Sequence, residues 1–285
     1  VSFLSNRFQR VCLDGNVSDW SAVTSGVPQG SVLGPLLFCL VVDSLSPIFP
    51  NSSILKYADD VIILHFIRKS EDDKLQAEWN ALVDWSETIS LPINYSKSQV
   101  LDIVTKSRLS LAPVSVSSTV FLKNVNFIVF LGVVISDDLK WNSHFDRMLK
   151  RAAKRTFILR NLRRSGCPQN IMWRVYLSMI RPLLTYAVPS FCNAPVYLFE
   201  SLLRFERRLC RIMGIEPADH PSVVDFMNLS CEKLFIQIHN NVNHSMRSLF
   251  LPHSSSRSML QLRPPFARTK RFKSSFIRYC KSTRK

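Results

Sequence analysis

Residues 55–64 have the sequence LKYADDVIIL, in which two adjacent carboxylates, Asp59 and Asp60, separate two apolar runs. Short apolar runs rich in β-branched residues are typical of buried strands, and neighbouring Asp residues between them favour a tight hairpin turn. An Asp pair in a turn can be purely structural. Two neighbouring carboxylates also repel each other, and a hard cation such as Mg²⁺, which takes oxygen ligands, relieves that repulsion. The stretch therefore predicts a β-hairpin with a candidate metal site at its tip.

A segment rich in glycine and proline lies upstream, with the sequence SGVPQGSVLGPLLF at residues 25–38. Its glycines recur every four residues, and glycine lets a backbone approach a bulky ligand closely. Ser31 is placed to cap the apolar run at 32–42, and Pro35 falls early enough to be tolerated in a first helical turn. We therefore expect a loop that opens onto a buried helix. The segment is not a P-loop, because no Gly-Lys-Ser/Thr follows it.

Together these two segments resemble those of the reverse transcriptases of non-LTR, LINE-type retrotransposons. Further segments agree in order and spacing, so that the resemblance extends over most of the chain up to about residue 214. The matching segments are FLSNR at 3–7, QRV at 9–11, residues 25–38, YADD at 57–60, residues 94–97, FLGV at 130–133, IRP at 180–182, YA at 186–187 and residues 205–214.

The resemblance implies an α+β fold, with a partial polymerase palm made of an antiparallel sheet and helices, followed by a helical, thumb-like region. We place the partial palm at residues 1–136, without the fingers and the strand of the first catalytic Asp. The thumb and C-terminal helices follow at 137–250, and a basic tail at 251–285 is expected to be poorly ordered. The chain begins inside a family motif, so we expect a fragment or a partial gene product.

Patterns along the chain predict individual elements. Apolar residues at helical spacing predict helices near 71–87, 141–164, 169–186, 196–213 and 223–249. Pro182 should kink or end the third of these, and Gly214 suits the C-terminal cap of the fourth. Asp14-Gly15 predicts a hairpin turn. Residues 121–135 are strand-like, with a bend near Gly132.

The catalytic expectations come from the resemblance. In the family, two magnesium ions activate a primer 3′-hydroxyl and stabilise the leaving pyrophosphate. Asp59 matches the carboxylate that bridges the two metals, and Asp60 matches a weaker or indirect ligand. The family's third aspartate belongs to an upstream strand that these 285 residues do not contain. We therefore expect this chain to be inactive in polymerisation.

The resemblance also implies substrate contacts. Gln29 and Gly30 match positions beside the templating base and the incoming nucleotide, and Tyr57 is assigned to substrate binding with them. Lys97 matches a lysine near the triphosphate, where a positive charge would offset the charge of the leaving pyrophosphate. The plainer alternatives are a loop amide facing water for Gln29 and a solvated surface lysine for Lys97.

Phe130, Leu131 and Gly132 match the hairpin that grips the primer end in the family. The alternative is a core strand, and both interpretations can hold together, because a grip requires a rigid support.

The charge of the chain favours a polyanionic partner. The formal net charge is +16, and seven Lys and Arg residues lie between positions 150 and 164 with no acidic residue among them. Such a surface follows phosphates without reading sequence. We expect Lys150, Arg151, Lys154 and Arg155 to contact a template–primer duplex, although a solvated basic face is the common alternative.

Composition excludes several classes. No stretch reaches the roughly 18 apolar residues of a membrane span, and no signal peptide is visible. The seven cysteines are scattered and form no Cys-x-x-Cys pair, which argues against a disulfide framework or a zinc site. We expect an intracellular protein, nuclear or cytoplasmic, that works with an RNA template, a DNA primer and deoxynucleotide triphosphates. The sequence leaves the oligomeric state open.

Three alternatives remain beside the polymerase. The chain can be a non-catalytic, basic nucleic-acid-binding remnant of the enzyme. It can also be a basic interaction protein in which the Asp-Asp turn is accidental. A related polymerase, such as an intron-encoded maturase or a telomerase, fits less well with the segments at 180–182 and 205–214.

Overall fold

The structure is a computed structural model, and it describes residues 4–24, 26–28, 30–68, 73–104, 111–252, 262–263 and 275–277. The chain divides into two compact units. The first unit contains residues 1–100 and 104–125, and the second contains residues 101–103 and 126–285. Helices and short strands occur together in the described residues, which is compatible with the predicted α+β class.

Four pairs of strands lie in the described residues of the first unit. Three pairs are antiparallel: β1 (Arg7–Gln9) with β4 (Ser21–Val23), β2 (Cys12–Leu13) with β3 (Asn16–Val17), and β5 (Ser52–Tyr57) with β6 (Asp60–His65). The fourth pair, β7 (Gln99–Val100) with β8 (Lys123–Asn124), is parallel. Within the described residues each sheet has two strands, so the single antiparallel sheet that we expected for residues 1–136 is not present there.

The described residues of the first unit also contain two helices and a small core. The helices are α1 (Leu33–Asp43) and α2 (Leu75–Thr88). The core side chains are Leu45, Trp79, Leu82, Val114 and Leu122. The α2 residue Glu78 is buried beside this core, where its carboxylate accepts the backbone N–H groups of Ile48 and Phe49 at 3.2 and 2.9 Å. A buried carboxylate needs such partners, and these bonds attach the chain after α1 to α2.

The apolar elements beside the Asp pair are less buried than the sequence indicated. In α1 only Gly34 and Val42 are buried, whereas Leu36 and Leu40 are 57% and 65% exposed. In β5 and β6 the apolar residues are half-buried or exposed, and Ile54, Val61 and Ile63 pack against the small core from one side. The prediction of a buried helix and buried strands was therefore wrong for the described residues. The reason is that apolar composition does not reveal whether another element covers a face.

The second unit opens with a hairpin. β9 (Phe127–Phe130) pairs with β10 (Val133–Ser136), and Leu131 and Gly132 form the two-residue connection. The strand-like stretch predicted at 121–135 is thus β8 followed by this hairpin, with the turn at the predicted bend.

Helices follow this hairpin in the second unit. They are α3 (Asn142–Arg164), α4 (Gln169–Val175), a π-helical turn (Tyr176–Ile180), α5 (Arg181–Thr185), α6 (Val188–Phe191), α7 (Val196–Met213), a 3₁₀ turn (Pro217–Asp219), α8 (Val223–Asn240) and a second 3₁₀ turn (Ser245–Leu249). They enclose the larger core of the chain, whose fully buried members include Phe145, Leu159, Tyr176, Leu202 and Leu209.

Pro182 explains why the helix predicted at 169–186 is interrupted. It lies in the first turn of α5, directly after the π-helical turn. Proline has no backbone N–H, and its ring collides with the preceding turn of an α-helix. The wider π turn accommodates that collision, so the kink expected at Pro182 is present.

The helices α3 and α7 run side by side in the same direction. At their N-terminal ends the hydroxyl of Tyr197 donates to the Asn142 side chain. At their C-terminal ends Nη1 of Arg163 donates to the Met213 carbonyl at 3.1 Å. Gly214 then ends α7 with φ +71°, in the left-handed conformation predicted for this cap.

Three further observations concern predictions about the chain as a whole. Within the part of the chain that the structure describes, no helix is long and apolar enough to cross a bilayer. None of the six cysteines described there forms a disulfide. The tail at 251–285 lies outside the described residues, except for the paired strands β11 (Leu251–Pro252) and β12 (Leu262–Arg263) and residues 275–277.

Candidate active site and nucleic-acid interface

The predicted Asp-Asp hairpin is present in the first unit. Tyr57 pairs with Asp60, which leaves Ala58 and Asp59 as the two-residue turn. Ala58 has φ +50°, in the left-handed region, which costs a residue with a Cβ roughly 1–2 kcal/mol. Tyr57, Asp59 and Asp60 are all exposed. The turn therefore presents both carboxylates to solvent on a strained backbone, as is common at functional sites.

The two carboxylates suit a divalent cation in chemistry but do not complete a site. Within the described residues neither side chain has a hydrogen-bond or ion-pair partner, so the carboxylate oxygens of Asp59 and Asp60 are available to a hard cation. In the same part of the chain no group of three or more His, Cys, Asp or Glu side chains could hold a metal ion. The hairpin thus supplies two donors, and a third carboxylate does not join them in the described residues.

Lys56 connects the Asp hairpin to the end of α1. Its ammonium group donates to the carbonyls of Val42, Asp43 and Leu45 at 3.1, 3.1 and 2.9 Å. The last carbonyls of a helix lack intrahelical partners and carry partial negative charge, so a lysine there both satisfies and stabilises them. Lys56 directly precedes the Tyr-Ala-Asp-Asp turn, so these bonds attach the two motif segments to each other.

The glycine-rich segment enters α1 through a close backbone contact. The Ser31 hydroxyl accepts the N–H of Gly34 at 2.9 Å and donates to the Pro28 carbonyl at 2.8 Å, as expected for a serine that caps the helix start. A Cβ on Gly34 would lie 2.9 Å from the Ser31 hydroxyl and 3.0 Å from the Pro28 carbonyl, which only glycine avoids. Gly30 is exposed with φ +82°, and Gln29 lies outside the described residues.

Lys97 is exposed at the end of a turn. Its backbone N–H donates to the Asn94 carbonyl and side chain at 3.1 and 3.2 Å. Its side chain has no acidic partner among the residues described by the structure, which leaves the ammonium group accessible. This placement is compatible with both interpretations of Lys97 and tests neither.

The turn between β9 and β10 is held by Tyr186. Leu131 and Gly132 have φ +47° and +81°, the backbone of a tight hairpin that normally requires Asn or Gly at both positions. The hydroxyl of Tyr186 donates to the Leu131 carbonyl at 2.7 Å, and Cε1 of its ring lies 3.3 Å from the position that a Cβ of residue 132 would take. The turn is rigid for these reasons, as a grip would need. Phe130 precedes it and is half-buried.

A pocket of about 310 Å³ adjoins this turn within the second unit. Its wall includes the turn itself, Tyr186, and two arginines one helical turn apart on α3, Arg147 and Arg151. Its remaining lining residues are His144, Met148, Pro182 and Leu183. The structure therefore brings the predicted grip residues Leu131 and Gly132 together with the predicted nucleic-acid residue Arg151.

His144 is a polar group of this pocket that sequence reasoning missed. The side chain is 4% exposed, and its Nδ1 accepts the Val134 N–H at 3.3 Å, while Nε2 is buried without a hydrogen-bond partner in the described residues. Burial lowers the pKa of His144, and the neighbouring Arg147 charge lowers it further. The imidazole is accordingly neutral, with Nε2 as the protonated nitrogen. Nothing in the spacing of the sequence distinguishes His144 from an ordinary core histidine.

Some basic side chains of α3 have a hydrogen-bond or ion-pair partner within the protein, and others do not. Lys150 forms an ion pair with Asp146 at 2.7 Å, and the Arg155 guanidinium donates to the Met179 carbonyl. Arg151 and Lys154 are exposed and have no acidic partner among the described residues. Of the four residues predicted to contact nucleic acid, Arg151 and Lys154 are thus the two that are available.

Comparisons with known proteins agree with the motifs. Residues 2–135 match a family model described as reverse transcriptase (RNA-dependent DNA polymerase). The chain is 28% identical over 195 residues to the probable RNA-directed DNA polymerase from transposon X-element of Drosophila melanogaster, covering 65% of this chain and 21% of that protein. It is 26% identical over 205 residues to the RNA-directed DNA polymerase from mobile element jockey of the same species, covering 67% and 22%.

A third relative comes from another insect. The retrovirus-related Pol polyprotein from type-1 retrotransposable element R1 2 of Nasonia vitripennis is 27% identical over 137 residues, which cover 45% of this chain and 33% of that protein. The chain spans about a fifth of the length of the X-element and jockey relatives. No solved structure matches it significantly.

The reverse transcriptase family acts on a nucleic-acid template with nucleotide substrates, and it generally uses divalent metal ions. The resemblance to the reverse transcriptases of non-LTR, LINE-type retrotransposons is confirmed: residues 2–135 match the reverse transcriptase model, and the similar proteins are RNA-directed DNA polymerases of such elements.

Proposed function

We propose that the chain is part of an RNA-directed DNA polymerase of a non-LTR retrotransposon, with residues 1–136 as a partial palm and residues 137–250 as the thumb and following helices. The observation that carries the proposal is the exposed Asp59-Asp60 turn inside the segment that matches the family. In this assignment Asp59 and Asp60 hold Mg²⁺. The metal would supply activation of the primer 3′-hydroxyl and stabilisation of the leaving pyrophosphate.

The residues around the hairpin then have distinct tasks. Lys56 positions the hairpin by attaching β5 to the end of α1. Gln29, Gly30 and Tyr57 contact the templating base and the incoming nucleotide, and the left-handed backbone of Gly30 supports a close approach. Lys97 offsets negative charge on the departing pyrophosphate, which its exposure and lack of an acidic partner in the described residues support.

The second unit would hold the template–primer duplex. Phe130, Leu131 and Gly132 form the grip on the primer end, supported from behind by the Tyr186 hydroxyl. Arg151 lines the pocket beside that turn, and Lys154 follows it on α3. Guanidinium and ammonium groups bind phosphate oxygens through charge-assisted hydrogen bonds, so this surface would hold the duplex by its backbone. Lys150 and Arg155 contribute charge while retaining their partners in the protein.

The 285-residue chain alone is proposed to be inactive in nucleotide addition. Two carboxylates without a third leave a two-metal site incomplete, and no other group of metal ligands stands in the described residues. Binding of the duplex does not depend on the missing ligand, so we expect it to persist in the isolated chain.

Filter binding to an RNA–DNA hybrid across a salt series tests this function. We expect affinity at low salt that falls steeply as salt rises, because phosphate contacts release counterions. The double variant Arg151→Gln/Lys154→Gln should lower the magnitude of the log–log salt slope by about 2. The control is Lys123→Gln/Lys233→Gln, two exposed lysines that change the net charge equally. Absence of binding by the wild type at low salt would contradict the proposal.

A further inference from the structure

Arginines form the exposed face of α7 after its first turns, in which Val196, Tyr197 and Glu200 are exposed. From residue 201 to the end of the helix, every exposed position is an arginine: Arg204, Arg207, Arg208 and Arg211. Their spacing of three and four residues places all of them on one side of the helix. At a rise of 1.5 Å per residue, this arginine stripe is about 10 Å long.

The charges of the arginine stripe are not neutralised by the protein. None of the four side chains forms an ion pair within the described residues. The acidic residue inside the stretch is Glu206, which is buried on the opposite side of α7. Its carboxylate accepts the Tyr176 hydroxyl at 2.6 Å and the Val223 N–H at 2.8 Å. The stripe therefore presents a concentrated positive charge to solvent.

The arginines of the stripe have fewer partners within the protein than the cations of α3 have. On α3, Lys150 pairs with Asp146, and both Arg155 and Arg163 donate to backbone carbonyls. Among the described residues, the arginines of the stripe make one hydrogen bond, from Nε of Arg207 to the Leu203 carbonyl of its own helix at 3.3 Å. The guanidinium groups of the stripe thus remain available to an external ligand.

We propose that the arginine stripe binds the phosphate backbone of a double-stranded nucleic acid. Guanidinium groups bind phosphate through paired hydrogen bonds, and they do so better than ammonium groups. Phosphates of one strand follow each other at about 3.4 Å along a duplex axis, so a stripe of about 10 Å can contact three of them. This inference rests on the proposed function, in that the chain binds nucleic acid, and adds a second surface to it.

The face around the stripe argues against other anionic partners. Single strands are held by exposed aromatic side chains on which bases stack. The exposed aromatic side chain of α7 is Tyr197, whose hydroxyl is bound to Asn142, and none is exposed between residues 201 and 213. A membrane-surface helix needs an apolar face that inserts beside its cations, and the exposed face here has no apolar residue over the same stretch. Duplex phosphate is the partner that this surface fits.

The test is binding of a 20-base-pair RNA–DNA hybrid by the whole chain at several salt concentrations. The stripe variant carries Arg204→Gln, Arg207→Gln, Arg208→Gln and Arg211→Gln. Glutamine keeps a high helix propensity, and circular dichroism checks that α7 is retained. The control carries Arg68→Gln, Lys123→Gln, Arg174→Gln and Lys233→Gln, four exposed positions that remove the same charge.

We expect the stripe variant to lose at least about tenfold in affinity at low salt, with a log–log salt slope smaller in magnitude by roughly 3. The control variant should keep the salt slope of the wild type. A variant with lysine at the four arginine positions should largely regain that slope. Equal losses in stripe variant and control would reduce the effect to net charge and overturn the inference. Binding to vesicles of phosphatidylserine and phosphatidylcholine without binding to the hybrid would overturn it too.

The two proposals fail in different ways. If the wild type binds the hybrid and its slope depends on Arg151 and Lys154 but not on the arginine stripe, the α7 surface alone is refuted. If the wild type does not bind the hybrid at low salt, the nucleic-acid function and the stripe are both refuted.

Discussion

Two features of the structure, the backbone conformation and a neighbouring ring, favour glycine at position 132. Its φ of +81° favours glycine, and a Cβ there would lie 3.3 Å from Cε1 of Tyr186. We expect Gly132→Ala to destabilise the second unit by about 1–2 kcal/mol from backbone conformation alone, with a further loss from the ring contact. Urea unfolding measures the change.

Gly166→Ala is the matched control for Gly132→Ala. Gly166 has φ +70° in the same unit, but no atom lies within 4 Å of its Cβ position. Gly166→Ala should therefore show the free-energy cost of the left-handed backbone without any cost from a steric contact. If Gly132→Ala were no more destabilising than Gly166→Ala, the tyrosine would not be holding the turn.

His144 makes a prediction about pH. Burial and the neighbouring Arg147 lower the pKa of His144 in the folded protein below its ordinary value of 6.5. Between the two pKa values the unfolded chain binds the proton and the folded chain does not, so the free energy of unfolding falls as pH falls. The stability is fully present above about pH 6.5 and is lost as the pH drops through the folded pKa of His144.

Replacing His144 tests that assignment. His144→Asn keeps a side-chain acceptor but removes the titrating group, so the slope of unfolding free energy between pH 7 and pH 5 should become flatter than in the wild type. Urea unfolding at each pH measures the slope. His239→Asn, at a half-buried position on α8, is the control. An unchanged slope in His144→Asn would show that another group causes the acid sensitivity.

At the scale of elements, Lys56 is the contact that attaches the carboxylate hairpin to α1. Its side chain is 26% exposed, and its ammonium group donates to three carbonyls at the end of α1. We expect Lys56→Met to destabilise the first unit by about 1–3 kcal/mol, because three carbonyls lose a charged donor. Urea unfolding compares it with Lys97→Met, an exposed lysine without an acidic partner in the described residues. Equal stabilities would contradict the role of Lys56.

Elements with a strong local signal were predictable from the sequence. The helix predicted at 196–213 has those bounds, the helix predicted at 141–164 begins one residue later, and the Asp hairpin lies where the apolar runs placed it. In each case the periodicity continues over the whole element, and a residue such as Gly214 marks its end. Local pattern was sufficient there.

Elements that depend on distant neighbours were not predictable. The exposure of α1 and the division of the strands into separate pairs depend on which surfaces meet, and local pattern does not contain that information. The same holds for the candidate site. The motif identified Asp59 and Asp60, but the contacts of Lys56 and Tyr186 join residues 11 to 55 positions apart. The basic run at 150–164 likewise does not indicate that Arg155 and Arg163 donate hydrogen bonds to backbone carbonyls.

At the scale of the whole molecule, the two units have different chemistry. The first carries the carboxylates of the proposed metal site and the glycine-rich loop. The second carries the rigid turn, the pocket with Arg147 and Arg151, and the arginine stripe. With a net charge of +16, the chain is suited to a polyanion, and the proposed function gives each unit one part of the reaction.

Primer extension with Mg²⁺ on an RNA template tests the central claim, that Asp59 and Asp60 are part of a polymerase metal site. The assay compares the 285-residue chain with a longer polypeptide that adds the coding sequence upstream of Val1, each as wild type and as Asp59→Ala. We predict extension by the longer wild type alone. Extension by the 285-residue chain that Asp59→Ala abolishes would show that a third acid was overlooked. Extension by the longer polypeptide that survives Asp59→Ala would contradict the metal site itself.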